Sequence, residues 1–278
     1  MRSAGVTCAA RRSWLVGCGN VLFRHRNAVF PLVLLAVFAG FRPVYPLGSE
    51  QLDWWLDLLG AAVALTGQSL RAAVIGYAYI RRGGKNREIY ADSLVTEGLF
   101  RHSRNPLYLG NLLILLGLFV IHNNPWVYAL GVPFFLFAYS AIVRAEEACL
   151  RDKFQQAYDD YCRRVNRWLP NFRGVSQSVA GVEFAWRRLV VKEYGSTYAW
   201  MASALLLLAY ETLTYSDYAH QRTYLNALAM LLLLATGGWV AARYLKKSGL
   251  LTAERPPWSG AEDGPLTSRP GGPDAHRE

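Results

Sequence analysis

Two groups of polar side chains could do chemistry in this otherwise apolar chain. The first is RHSRNPLYLG, Arg101 to Gly110. Arg101 and Arg104 carry guanidinium forks that match a carboxylate or phosphate in bidentate fashion. Asn105 stands where a helix N-cap belongs, and Pro106 suits the first helical turn, where its missing N–H costs nothing. A helix start of this kind favours an anion. Tyr108 adds a ring and a hydroxyl, and Gly110 lets another group approach the backbone. The second group is the pair Glu146–Glu147, at the end of a later apolar run. Two carboxylates there sit at the unfavourable pole of the helix dipole. Arg144 and Arg151, three and four residues from Glu147, are its local candidates for pairing, and they leave Glu146 unexplained. Arg71, inside an apolar stretch, either snorkels to the interface or lines a cavity.

The elements that position these groups are read from hydropathy. The chain has 278 residues, 53% of them hydrophobic and 18% charged, which excludes disorder as its general state. A bilayer core about 30 Å thick needs roughly 20 helical residues, and six runs approach that length. They are Ala28–Phe41, Leu52–Ile80, Leu107–Ile121, Trp126–Val143, Tyr198–Tyr215 and Tyr224–Tyr244. The third and fourth are joined by HNNP, His122 to Pro125, a turn signal that makes them a tight helical hairpin. The expected fold is therefore all-α, a polytopic membrane bundle of about six transmembrane helices.

A net charge of +10 raises the question of nucleic acid. The distribution answers it, because strongly and weakly basic connections alternate through all six spans. That is the positive-inside pattern, with both termini cytoplasmic, and it assigns the charge to topology and anionic headgroups rather than to nucleic acid. The cysteines Cys8, Cys18, Cys149 and Cys162 form no CxxC, so neither a disulfide framework nor a metal site is expected. Five segments follow: a basic cytoplasmic stretch 1–27, a core 28–170, an amphipathic interfacial segment 171–197, two further spans in 198–247, and a disordered tail 248–278. Within the third segment, Phe184 to Gly195 alternates apolar and basic groups as an interfacial helix does.

The hairpin brings the two polar groups together. Its first helix starts at the cytoplasmic face and its second returns there, so Arg104, Asn105 and Tyr108 should share a membrane level with Glu146 and Glu147. Guanidinium groups facing carboxylates suit a zwitterion such as an amino-acid headgroup. Basic residues also flank many cytoplasmic helix ends, and Asn-Pro is an ordinary helix start.

At this point RNPLYLG, Arg104 to Gly110, followed by Glu146–Glu147 after one hairpin, resembles the integral-membrane methyltransferases of the isoprenylcysteine carboxyl methyltransferase and phospholipid N-methyltransferase type. GLFR, Gly98 to Arg101, fits ahead of it. Leu150, Phe154, Tyr158, Tyr161 and VNRWLP, Val165 to Pro170, fit behind it. Asn105 replaces the histidine of the usual Arg-His-Pro, a change that some phospholipid-type members share. His102 could stand in for that imidazole, although a loop histidine is ordinarily solvated. A Gly-x-Gly of the preceding helix is represented only by separated Gly67 and Gly76.

The resemblance implies S-adenosylmethionine held by Arg101, Arg104, Asn105, Tyr108, Gly110, Glu146 and Glu147. Arg104, Glu146 and Glu147 would be the catalytic set, and a lipid or lipophilic acceptor would present a carboxylate or an amine. An inner or endoplasmic-reticulum membrane, with the site facing the cytoplasm, is the expected location. Two other readings fit the apolar pattern: a membrane reductase that binds NADPH on this basic face, and a non-enzymatic scaffold or transporter. The residues do not identify the acceptor or the oligomeric state.

Overall fold

A computed structural model describes residues 13–77, 82–85, 88–91, 94–180, 182–215 and 218–251. The expected tail lies, from residue 252 onward, outside the described residues, as do the first twelve residues of the basic N-terminal stretch. Seven α-helices follow in order: α1 Trp14–Gly40, α2 Glu50–Tyr77, α3 Pro106–His122, α4 Pro125–Arg164, α5 Val175–Val179, α6 Trp186–Tyr215 and α7 Tyr218–Lys247. One small antiparallel hairpin, β1 Arg82–Lys85 with β2 Glu88–Ala91, interrupts the all-α plan between α2 and α3.

By length and composition α1, α2, α4 and residues Gln221–Lys247 of α7 can cross a membrane, and α3 is a shorter apolar helix. Their outward faces carry exposed Leu32, Leu35, Leu58, Leu65, Leu233 and Leu234, as lipid-facing helices do. Two helices run further than their apolar runs suggest. α1 begins at Trp14 rather than Ala28, because Arg24, His25 and Arg26 interrupt hydropathy without interrupting the helix. α4 continues past Val143 to Arg164 and carries Glu146 and Glu147 on its extension. The amphipathic stretch near Trp186 forms the first turns of α6, continuous with the apolar helix behind it.

The hairpin turn forms as its residues dictate. Asn123 takes the left-handed conformation (φ 46°) and its N–H donates to Phe119 O, closing α3. Asn124 caps α4 by accepting from Trp126 N at 2.8 Å, with Pro125 in the first turn. Gln155, at φ 44° and ψ −119°, kinks α4 before its last turns. Tyr158 and Tyr161 then bury against Leu150, and the Tyr161 hydroxyl donates to Phe100 O at 2.8 Å.

Close packing of α2 on α3 fixes the mouth of the hairpin. The two helices run antiparallel and meet through two glycine pairs, Gly60 with Gly117 and Gly67 with Gly110. A Cβ on Gly117 would lie 2.4 Å from Gly60 O, and one on Gly67 would lie 2.5 Å from Gly110 O. Small residues at such a seam let helix backbones touch, the usual basis of association in lipid. Gly76 is likewise covered, by the ring of Phe184. Gly67, Gly76 and Gly110 are thus filled by protein.

Cys18 and Cys162 are free thiols, but Cys149 is disulfide-bonded. A single bonded cysteine departs from the expectation that no disulfide framework forms.

The glycine seam has a measurable consequence. Gly117→Leu should destabilise the protein by about 1–3 kcal/mol through overpacking, read as a lower melting temperature in detergent. Gly237→Leu, at a position facing open space, should not lower it.

Candidate active site

Each side of the hairpin mouth is built by a different part of the chain. Gly98–Arg101 forms a 3-10 turn, buried through Leu99 and Phe100 against Val74 of α2. The chain then passes Arg104 and Asn105 into α3. The segment 165–171, released from the end of α4, runs back along it: Arg104 N donates to Asn166 O at 2.9 Å, and Asn171 N donates to His102 O at 2.9 Å. Ser103 Oγ donates to Trp168 O at 3.2 Å.

Glu147 lies between these two strands of chain. Arg104 Nη1 approaches its Oε1 at 3.1 Å. Arg167 grips it bidentately, Nε to Oε1 at 3.0 Å and Nη2 to Oε2 at 2.7 Å. The Arg104 and Glu147 side chains are 12% and 6% exposed, so the pair is largely desolvated, whereas Arg167 is 39% exposed. The hydrogen bonds from Arg167 to Glu147 hold the guanidinium pKa above its ordinary value, and its charge is permanent at any physiological pH. Arg104 Nη1 also donates to Cys162 Sγ.

One turn into α3, the Tyr108 hydroxyl donates to Glu146 Oε1 at 2.6 Å. Glu146 is half-buried, and the Tyr108 ring tilts against Tyr139 of α4 at 5.4 Å. Arg104, Tyr108, Glu146 and Glu147 therefore do meet at one end of the hairpin. The partners are more specific than the sequence suggested. Glu147 is held by Arg104 and Arg167, not by its neighbours along α4, since Arg144 is exposed and Arg151 instead pairs with Asp159 at 2.8 Å.

The remaining expected residues fall differently. Asn105 occupies the N-cap position but does not cap with its side chain, whose Nδ2 donates to Arg167 O at 3.2 Å. The group that approaches the Gly110 backbone is protein: the Arg71 side chain and Gly67 O. Arg101 is exposed and lines a separate cavity of about 230 Å³ with His102, Asn171, Arg173, Gly174, Gln177 and Ser178. His102, taken as a solvated loop residue, is in fact 7% exposed. Its ring nitrogens meet Asn171 O and Ser178 Oγ, the latter at 2.8 Å, and so pin the 3-10 turn to α5. An adjacent chain segment, not solvent, satisfies the ring.

Arg71 neither snorkels nor faces an open cavity. It forms a bidentate pair with Glu193 of α6, Nε to Oε2 at 2.8 Å and Nη2 to Oε1 at 2.6 Å, and Nη1 donates to Asn111 Oδ1. Gln68 joins Glu193 to Trp200 Nε1. Arg167 and Glu193 were the residues that sequence reasoning passed over. The signal for Arg167 was present in VNRWLP; Glu193 had none.

Among known proteins, a family model described as phospholipid methyltransferase matches residues 58–157. The cobalt-zinc-cadmium resistance protein CzcN of Cupriavidus metallidurans is 31% identical over 164 residues, spanning 56% of this chain and 70% of that protein. The nickel-cobalt-cadmium resistance protein NccN of Alcaligenes xylosoxydans xylosoxydans is 28% identical over 162 residues, 54% of this chain and 67% of that protein. The chain belongs to the phospholipid methyltransferase family. No solved structure matches it. The family match spans most of α2, all of α3 and the greater part of α4, and so includes Arg104, Tyr108, Glu146 and Glu147, while Arg167 lies beyond it. Membership makes this a membrane methyltransferase.

Removing one member of a buried ion pair strands the other. Glu147→Gln should therefore cost about 3–5 kcal/mol of stability, seen as a large drop in melting temperature in detergent. Arg167→Lys, which keeps the charge but loses the fork, should cost less. A Glu147→Gln protein that melts with wild type would remove the pair from its structural role.

Proposed function

We propose that the protein transfers a methyl group from S-adenosylmethionine to a lipid or lipophilic acceptor at the cytoplasmic face of a membrane. The observation that carries this reading is the contact of Tyr108 with Glu146 immediately beside the Arg104–Glu147–Arg167 cluster, at the mouth of a helical hairpin in a phospholipid methyltransferase chain.

The residues fit the donor. Its amino-acid end presents a carboxylate and an ammonium. Arg167 Nη1 makes no hydrogen bond among the described residues and belongs to a partly exposed guanidinium, so it can take the carboxylate. Glu146, half-buried, can take the ammonium or the ribose hydroxyls. Arg104 is engaged with Glu147 and Cys162, so its part is to hold Glu147, and through it Arg167, in place. Asn105 fixes the other side of Arg167 through its backbone carbonyl. Arg101 and Gly110 stand outside this set in our reading.

The donor supplies a methyl group on a sulfonium, a leaving group that needs no protonation. In the displacement, the bond from methyl carbon to sulfur breaks as one from methyl carbon to the acceptor forms. Positioning the two reactants accounts for much of such a step. A carboxylate acceptor needs no base. An amine acceptor arrives protonated and must lose that proton first, and Glu146 can accept it directly or through water. The Tyr108 hydroxyl fixes the orientation of that carboxylate. Family membership favours the amine. The acyl part of the acceptor would enter sideways, between helices whose outward faces are apolar.

Two measurements test this reading. Membranes holding the protein, incubated with methyl-labelled S-adenosylmethionine, should yield a labelled lipid extract. Glu146→Gln should lower that labelling by about 10²-fold or more, the usual effect of losing a general base. No labelled lipid from wild type would defeat the proposal, and full labelling by Glu146→Gln would remove Glu146 from the reaction.

Orientation is tested separately. The alternation of basic loops supports a cytoplasmic site. A reporter fused after residue 278 should register as cytoplasmic, and an external signal would invert the topology.

A further inference from the structure

Among the described residues, buried carboxylates are matched by arginines except in one place. Glu147 has Arg104 and Arg167, and Glu193 has Arg71. At the far end of the bundle, three carboxylates meet without a cation. Asp53 and Asp57 stand one helical turn apart near the start of α2, and Glu211 reaches them from the last turns of α6. One carboxylate oxygen from each lies within 4.8 Å of the other two. Asp53 is 4% exposed and Glu211 5%. No lysine, arginine or histidine forms an ion pair with any of the three among the described residues.

Hydrogen bonding compensates only in part, through a bond between Glu211 and Asp53 inside the cluster. Glu211 Oε1 and Asp57 Oδ1 are buried and have no hydrogen-bond partner. The Asn123 amide donates to Asp53 Oδ1 at 3.2 Å, but shares that nitrogen with Val44 O. The Tyr215 hydroxyl, one turn along α6 from Glu211, donates to Pro43 O at 2.6 Å. Burying several anions together without counter-charge costs several kcal/mol per ion, so a positive charge from outside the chain is the natural complement.

We propose that Asp53, Asp57 and Glu211 bind a single hard divalent cation at the end of the bundle opposite the Arg104–Glu147–Arg167 cluster. The two ends are separated by the length of α3, about 25 Å for 17 residues. The donor set is all oxygen, which suits Mg²⁺, Ca²⁺ or Mn²⁺ rather than ions that prefer nitrogen or sulfur. Oxygen ligands at about 2.0–2.6 Å from one ion lie up to roughly 4–5 Å from each other, so the 4.8 Å spread fits a shared ion with little movement. Asn123 acts here as the outer support that orients Asp53. The bound ion staples α2 to α6. This proposal does not rest on the methyl-transfer reading.

The test uses the full-length protein in detergent, stripped with EDTA and titrated with Mn²⁺. Electron paramagnetic resonance should show about one Mn²⁺ bound per chain, displaced by Ca²⁺ or Mg²⁺, and Mn²⁺ should raise the melting temperature. Glu211→Gln and Asp57→Asn should weaken Mn²⁺ binding at least about tenfold, since ligand charge tunes such sites. In EDTA both variants should melt at or above wild type, because each removes an unbalanced buried charge. The variants therefore report on the ion even though they touch the core. Stripped wild type that takes up no Mn²⁺ and melts unchanged in its presence would overturn the proposal, leaving protons as what the carboxylates share. So would Glu211→Gln that binds Mn²⁺ as tightly as wild type.

Discussion

The ion pair between Glu147 and two arginines organises the candidate active site. Arg104 comes from the entry to α3, Glu147 from the extension of α4, and Arg167 from the segment that runs back after α4. Glu147 is placed by its helix, but neither arginine is. Arg104 precedes its helix, and Arg167 lies in a bent, non-helical segment whose backbone bonds to residues 102–105. A desolvated charge is tolerable only when its partners are in place, so the pair links three separate pieces of chain. The Tyr108–Glu146 contact joins α3 to α4 directly beside this link.

Much of this end was legible in the sequence because its signals are local. Hydropathy places α3 and α4, and HNNP names the turn between them through an asparagine that tolerates φ > 0 and a proline that suits a first turn. Once the hairpin is granted, an Arg/Tyr group at its start and a Glu pair near its end must lie side by side. What was illegible involves partners distant in sequence. Reasoning by i,i+3 and i,i+4 spacing offers Glu147 the residues Arg144 and Arg151, since those are the only neighbours such spacing can see. Its actual partners are 43 and 20 residues away. His102 was misjudged for the same reason, since a loop residue looks solvated until α5 packs over it.

Helix ends were also misplaced where charge and helicity part company. Arg24–Arg26 and Glu146–Glu147 end apolar runs, yet arginine and glutamate are good helix formers. α1 and α4 accordingly continue through them as helices. Hydropathy marks the membrane boundary, and propensity and capping mark the helix boundary. In this chain the candidate chemistry sits in the interval between the two.

Gly110 connects the candidate site to the rest of the bundle. Without a side chain there, the stem of Arg71 passes across α3, and its guanidinium reaches Asn111 on that helix and Glu193 on α6. A Cβ at Gly110 would lie 2.6 Å from Arg71 Cγ, so any larger residue would expel the arginine and strand Glu193 in a 4% exposed position. On the side of α3 facing α4, the Tyr139 ring tilts against Tyr108, and the Tyr108 hydroxyl donates to Glu146. A polar network thus ties Glu193 of α6 through Arg71 to Asn111, one turn along α3 from Tyr108. Unpaired polar groups within a membrane are too costly to leave in place, so the members of this line constrain one another. α6, which lies outside the stretch matched by the family model, is tied in this way to the helix that carries Tyr108.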